Sequence, residues 1–329
     1  MCFEKRKCQV RRMEMQAEQR IGFGYEGVPS FCRTPLCCNL EELETDVAIA
    51  GICIDTGTTY RSGTRFGPKA IREASMIYSM GYLPQLGFFD VEQQTYLLSG
   101  VRMVDCGDIP TIPTLLTETM DIITQSIREV RARGAMPVIL GGDHSISFPI
   151  VRAFDDLELH LVQFDTHLDL MDDVFGIRHS HANPMKRISE LKNVTGLTHI
   201  GIRGLQNPPD WSERTLHPKS SVYTAAQVHA NGVEAIAAQI PSCDNLYISI
   251  DIDSLDPSVA PGTGTPEFGG LSYLQLRQFL MACAKKGRLA GFDLVEVNPL
   301  YDPTGRTAQV AARLILDLLG AAWPERPPL

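Results

Sequence analysis

The stretch "LVQFDTHLDLMDD", residues 161–173, starts as a buried strand and ends in polar chemistry. Leu161, Val162 and Phe164 belong to a short apolar run of the kind that fills a strand covered on both faces. Asp165, His167 and Asp169 then follow at alternate positions. Carboxylates and an imidazole at the end of a buried strand need an offsetting charge, because a lone buried charge is expensive or takes up a proton.

The same pattern extends in both directions. "DVAIAGICID" (46–55), "VRMVDCGD" (101–108), "MPVILGGDHS" (136–145), "LTHIGIRG" (197–204), "NLYISIDID" (245–253) and "LAGFDLVEVNP" (289–299) are short β-rich runs. Between them lie helical patterns. "GPKAIREAS" (67–75) opens with a proline suited to a first turn, and "LLTETMDIITQSIREVRARG" (115–134) repeats apolar residues three and four apart before a terminal glycine. "TGRTAQVAARLILDLLGAAW" (304–323) predicts a C-terminal helix. Strands alternating with helices imply βαβ units and a mostly parallel sheet covered on both faces. No linker or repeat divides the pattern, so a single α/β domain is expected over residues 41–329. Residues 1–40, mixed in charge and poorly patterned, read as an extension or arm.

The composition narrows the function. A net charge of −9 over 329 residues argues against nucleic acid as a partner and gives no attraction to anionic membranes. Nine cysteines, an odd number with no C-x-x-C pair, point to reduced thiols rather than a disulfide framework or zinc ribbon. With no apolar secretory segment at the start, a cytoplasmic protein is expected.

Four segments end in unusual side chains: Asp143 and His144 in "GGDHS"; Asp165, His167 and Asp169; Asp251 and Asp253 in "ISIDIDSLDP"; and Glu296 in "DLVEVNP". With a strand's period of two, 165, 167 and 169 share one side, as do 251 and 253, while Ile250 and Ile252 point the other way. Two neighbouring strand ends then aim four carboxylates and an imidazole at one place, and His144 joins from a third. Two divalent cations balance four aspartates; one leaves two charges uncompensated. The donors are oxygen and nitrogen, without thiolate, which favours Mn2+ and is compatible with Ni2+, Co2+, Fe2+ and Zn2+. Metal pairs roughly 3.5–4 Å apart acidify water to give a nucleophile at neutral pH.

Single motifs carry less. D-x-H-x-D alone is common after strands. Asp256-Pro257 reads as a turn, and "APGTGTP" lacks the Lys-Ser/Thr of a phosphate loop. His160, His199, His217 and His229 lack a partner motif and read as structural or surface residues.

Taken together, the chain resembles the ureohydrolase family of arginases, agmatinases and guanidino-acid hydrolases. "GGDHS", "FDTHLD" and "SIDIDSLDPSVAPGTGTPEFGG" are similar to its three signature blocks, with "GTTYRSGTRFGPKAIREAS" and "VEVNP" as further matches, over about residues 45–320. "SGTRFGPKAIR" and "SHANP" look closest to the agmatinase branch. The resemblance implies a three-layer α/β/α domain, often in hexamers or trimers, and two Mn2+. One ion would take His144, Asp165, Asp169 and Asp251; the other would take Asp165, His167, Asp251 and Asp253. It further implies hydrolysis of a guanidino compound to urea and an amine. Asp169 accepts a proton, Glu296 meets the guanidinium and His181 in "RHSHANP" shuttles protons.

Agmatine, giving putrescine, comes first as substrate. Guanidinobutyrate, guanidinopropionate, free guanidine and small alkylguanidines are alternatives. A catalytically silent partner subunit and a single-zinc deacylase are readings of other classes. Thr265 is expected at the substrate, with Asp172 (or Asp173) for an ammonium tail or Arg178 for a carboxylate. Two departures bear on that tail: Leu170-Met171 and Ala182-Asn183 replace residues that are commonly polar or Gly-Thr in agmatinase-like chains.

Overall fold

The computed structural model describes residues 27–83, 86–210 and 220–323. Residues 1–26 of the expected extension, and His217, lie outside them. The chain runs β1 (Val47–Gly51), α1 (Gly67–Ser75), β2 (Tyr82–Leu83), β3 (Gly87–Asp90), β4 (Thr95–Leu97), β5 (Met103–Asp108) and α2 (Leu116–Ala132). It continues with β6 (Met136–Leu140), α3 (Ser147–Val151), β7 (Leu159–Phe164), α4 (Pro184–Ser189), β8 (Val194–Ile202) and β9 (Ser220–Thr224). It closes with α5 (Ala225–Asn231), α6 (Val233–Ala237), β10 (Asn245–Asp251), α7 (Tyr273–Cys283), β11 (Arg288–Val295) and α8 (Arg306–Ala322).

Eight strands form one parallel sheet in the order β5-β1-β6-β11-β10-β7-β8-β9. Helices cover both faces, as parallel crossovers require. On one face Ile71 of α1, Phe279 and Leu280 of α7 and Ile315 of α8 join a core with Ile248, Ile250 and Ile252. On the other, Ile123 and Ile127 of α2 and Met185 of α4 pack with Leu161 and Tyr247. This is the expected three-layer α/β/α domain. Among the described residues no helix is long and apolar enough to cross a membrane.

A separate antiparallel sheet, β2-β3-β4, was not anticipated, since strands of two to four residues carry too little periodicity to read. Residues 30–37 lie against the outer strand β5. The Phe31 amide donates to Asp105 Oδ2 at 2.8 Å, and Phe31 itself is fully buried. Asp105 is held in turn by Arg72 of α1 through Nε at 2.8 Å and Nη2 at 3.0 Å.

Candidate active site

β6, β11, β10 and β7 are consecutive in the sheet, and their C-terminal ends bring the expected residues together. The means differs from the expected pleat. β7 stops at Phe164 and β10 at Asp251, so Asp169 and Asp253 lie beyond the strands. Past the last ladder bond a backbone amide has no sheet partner, and an aspartate side chain takes it. Asp165 Oδ1 accepts the His167 amide at 2.6 Å, Asp251 Oδ1 the Asp253 amide at 2.8 Å, and Asp143 Oδ1 the Ser145 amide at 3.0 Å. Three strands thus end in the same side-chain turn. Gly142 is required beside it: its amide donates to Ile52 O at 2.9 Å, and a Cβ there would overlap the Ile54 carbonyl.

His144 Nδ1 sits 3.1 Å from Asp165 Oδ2, 2.9 Å from Asp169 Oδ2 and 3.3 Å from Asp251 Oδ2. His167 Nδ1 sits 3.2 Å from Asp253 Oδ2 and 3.6 Å from Asp165 Oδ1. Two groups of metal-ligating geometry result, His144–Asp165–Asp251 and Asp165–His167–Asp253, which share Asp165. The donor set fits divalent cations. A ring nitrogen carries one proton at most, yet three carboxylates surround His144 Nδ1 and none makes an aligned hydrogen bond to it. Buried donors of this kind, converging without mutual satisfaction, suit a cation better than each other. Behind His144, Nε2 meets Ser249 Oγ at 2.9 Å, and Ser249 donates to Asp293 Oδ1 at 2.7 Å. That fixes the ring with Nδ1 toward the carboxylates.

Without cations, protons compensate the cluster. Burial, helped by the Asp165 charge, pushes Asp169 up to about 6, and burial with like charges raises Asp251 and Asp253. Asp165 goes the other way: burial opposes its charge, but His144 and His167 outweigh that and lower it. Burial also opposes the charge on both histidines, and the surrounding carboxylates raise them well above the ordinary value.

Beside the cluster, Glu296 Oε1 accepts the His144 amide at 3.0 Å and faces His181 Nδ1 at 3.1 Å. Glu296 Oε2 is buried with no partner. Both Asp169 (φ 51°) and Glu296 (φ 64°) occupy the left-handed region, strain of the kind found at functional sites. The Thr59 amide donates to His181 Nε2 at 3.1 Å, which opposes a proton on that nitrogen, and the Thr59 hydroxyl lies 2.7 Å from it. Burial lowers proton affinity at His181, but the Glu296 hydrogen bond and charge prevail and raise its pKa to about 9.

A pH prediction follows for the metal-free protein. Unfolded histidine loses its proton near pH 6.5, whereas folded His181 keeps it to about 9. The stability this supplies is full below pH 6.5 and is lost as pH rises toward 9. The Thr59 amide aimed at Nε2 reduces the contribution of His181, and His144 and His167 add in the same direction. Differential scanning calorimetry in chelator should show Tm falling across pH 6.5–9. Protein loaded with Mn2+ should fall less, so the gap between the two widens with pH. A gap that narrows would contradict a cation-compensated cluster.

Residues 45–320 match the arginase family. The chain belongs to the arginase family. It is 35% identical to a guanidinopropionase of Pseudomonas aeruginosa over 90% of this chain and 92% of that protein. It is 33% identical to a mitochondrial agmatinase of Gallus gallus over 89% and 85% respectively. Among solved structures, proclavaminate amidino hydrolase from Streptomyces clavuligerus superposes with a TM-score of 0.78 at 29% identity, covering 91% of this chain and 98% of that one.

In this arginase-family chain, a cavity of about 480 Å3 opens on the cluster, lined by His144, His167, Asp169, His181, Asp251 and Thr265 among others. Thr265 Oγ1 lies 3.4 Å from Asp253 Oδ2. Glu296, buried against His144 and His181, does not line it, and neither do Asp172 and Arg178: Asp172 pairs with Arg187, and Arg178 lies 3.4 Å from the same Asp172 oxygen.

Several supporting residues escaped the reading of the sequence. Thr59 sits in a quoted block without a role. Gln163 donates to Asp165 Oδ2 at 2.5 Å and meets buried His199 Nδ1 at 2.5 Å through its carbonyl. Ser249, Asp293 and Gln163 all announce themselves as polar residues inside otherwise apolar strands. Such residues stay buried only with partners. His199 and His160 are buried, the latter 2.9 Å from Thr198 Oγ1, and His229 is exposed.

Proposed function

We propose that the protein is a binuclear metal-dependent amidinohydrolase that converts a guanidino compound and water to urea and an amine. As a member of the arginase family it is a hydrolase of C–N bonds in guanidino compounds. The observation that carries the metal-dependent reading is the burial of Asp165, Asp169, Asp251 and Asp253 with His144 and His167 at adjacent strand ends.

In this reading His144, Asp165, Asp169 and Asp251 would hold one cation, and Asp165, His167, Asp251 and Asp253 would hold the other, with Mn2+ as the first candidate. When bound, such a pair supplies Lewis-acid polarisation and acidifies water near neutral pH. The chain's own residues do the rest. Glu296 Oε2, buried and unpartnered, accepts guanidinium N–H groups, a planar cation meeting a carboxylate. Glu296 Oε1 keeps the His181 proton at Nδ1, so Nε2 is the atom that gains and loses one. The Thr59 hydroxyl at Nε2 rotates to donate or accept, and His181 delivers the proton to the leaving amine. Asp169 takes a proton from the nucleophile.

The names of the relatives cover both guanidino acids and agmatine, so likeness does not choose the tail. The test is metal content and urea release together. Protein prepared in Mn2+, and separately in Ni2+, should carry about two ions per chain by plasma mass spectrometry. It should release urea from at least one member of a guanidine panel. Full metal loading with no urea from the panel would sink the proposal.

A further inference from the structure

We infer that the tail side of this cavity is built for an uncharged apolar substituent, so that the substrate is an N-alkylated guanidine rather than one ending in an ammonium or carboxylate. The inference rests on the amidinohydrolase reading above.

Beyond the carboxylate cluster the cavity is lined by Leu116, Leu168, Leu170, Met171, Val174 and Ile177. Ile177 is exposed at the mouth, whereas the Leu170-Met171 segment is held in place. Leu170 is buried, the Met171 amide donates to Ala182 O at 3.1 Å, and Asn183 Nδ2 donates to Met171 O at 2.7 Å. Asn183 is itself fully buried and accepts the Ser180 amide at 2.8 Å, while the Lys186 amide donates to Asp169 O at 3.2 Å. The two departures in sequence, Leu170-Met171 and Ala182-Asn183, are therefore one structural unit. Asn183 holds the segment that presents the apolar pair to the cavity.

The charged side chains nearby are engaged elsewhere. Asp172 pairs with Arg187 and Arg178, and both arginines also reach Glu190, at 3.3 Å and 3.8 Å. Asp173 Oδ1 accepts the Gly176 amide at 2.9 Å. Among the described residues lining the tail side, His179 is the one titratable group. It stacks on Phe148 with centroids 5.8 Å apart, and burial together with the Arg178 and Arg152 charges lowers its pKa. Among the described residues a charged tail finds no counter-charge here to offset the water it gives up, whereas an alkyl tail gains from the apolar lining. The reaction balances as alkylguanidinium plus water giving urea plus alkylammonium. A C–O bond forms at the guanidinium carbon, the C–N bond to the alkylated nitrogen breaks, and that nitrogen leaves with the proton.

The experiment uses the full chain loaded with Mn2+ or Ni2+. It compares kcat/KM for urea release from methyl-, propyl- and butylguanidine with agmatine and 4-guanidinobutyrate, which carry the same four-carbon tail as butylguanidine. Binding of each compound is measured in parallel by isothermal titration calorimetry. We expect kcat/KM to rise about fourfold per methylene, and butylguanidine to exceed both charged compounds by about 100-fold or more. Agmatine or guanidinobutyrate binding and reacting as well as butylguanidine would overturn the inference while leaving the amidinohydrolase reading intact. No urea from any compound would overturn that reading, and the binding order would still decide the tail. The variant Met171→Glu should raise kcat/KM for agmatine about tenfold or more and lower it for butylguanidine. An unchanged preference counts against the tail assignment.

Discussion

Asp251→Asn should leave a folded protein that has lost its metals and its activity. The amide oxygen can still accept the Asp253 amide, now bonded at 2.8 Å, so the turn at the end of β10 survives. What disappears is one negative charge among oxygens that surround His144 Nδ1 at 2.9–3.3 Å. Outer groups that merely orient a ligand cost about 10–100-fold in affinity or activity. Loss of a proposed ligand should cost more, about 10³-fold or beyond in kcat/KM, with metal content well below that of the parent. The metal-free variant should melt at a higher temperature than the metal-free parent. Burial and the charges of Asp253 and Asp165 hold Asp251 well above the usual carboxylate range, and the neutral amide removes that repulsion. The opposite signs matter: a residue that only supported the fold would lower stability in both states. Retention of both metals and full activity would refute the ligand role.

Glu296→Gln should separate catalysis from metal binding. Glutamine keeps the oxygen that accepts the His144 amide at 3.0 Å and still reaches His181 Nδ1. The carboxylate charge is gone, and with it the proposed acceptor for a guanidinium and the main cause of the raised His181 pKa. General acid–base contributions are worth roughly 10²–10⁴-fold, so kcat/KM should fall by about 10²–10³-fold, with kcat and KM both affected. Metal content should stay that of the parent. Thermal stability of the metal-free protein should fall at neutral pH and below, because the charge that favours protonated His181 is gone, with the loss partly offset because Oε2 is a buried acceptor without a partner. Loss of metal along with activity would assign Glu296 to the metal cluster instead.

Much of the architecture was legible because the apolar runs are short, β-rich and separated by helical periodicity. β1, β5, β6 and β10 fall within the quoted runs, β7, β8 and β11 overlap theirs, and α1, α2 and α8 match their patterns closely. The β2-β3-β4 sheet was not legible, because its strands are too short to show a period. The candidate site was legible as residue types and order. Four acids and two histidines at or beyond strand ends form too particular a combination to be scattered surface polarity.

Alternation along a strand predicted the right residues for a partly mistaken reason. Asp169 and Asp253 leave the strands, and side-chain turns at Asp143, Asp165 and Asp251 aim the cluster. Sequence by itself determined the fold class, the family and the identity of the charged residues, because these follow from local periodicity and residue chemistry. Only the tertiary structure decided which charges are free. Asp172 and Arg178 look from the sequence like groups for a substrate tail, but they are paired with Arg187, Glu190 and each other, away from the cavity. Pairing is a long-range property: the strand ends that face each other, and the loop that Asn183 pins beside Leu170 and Met171, are set by packing between segments far apart in the chain.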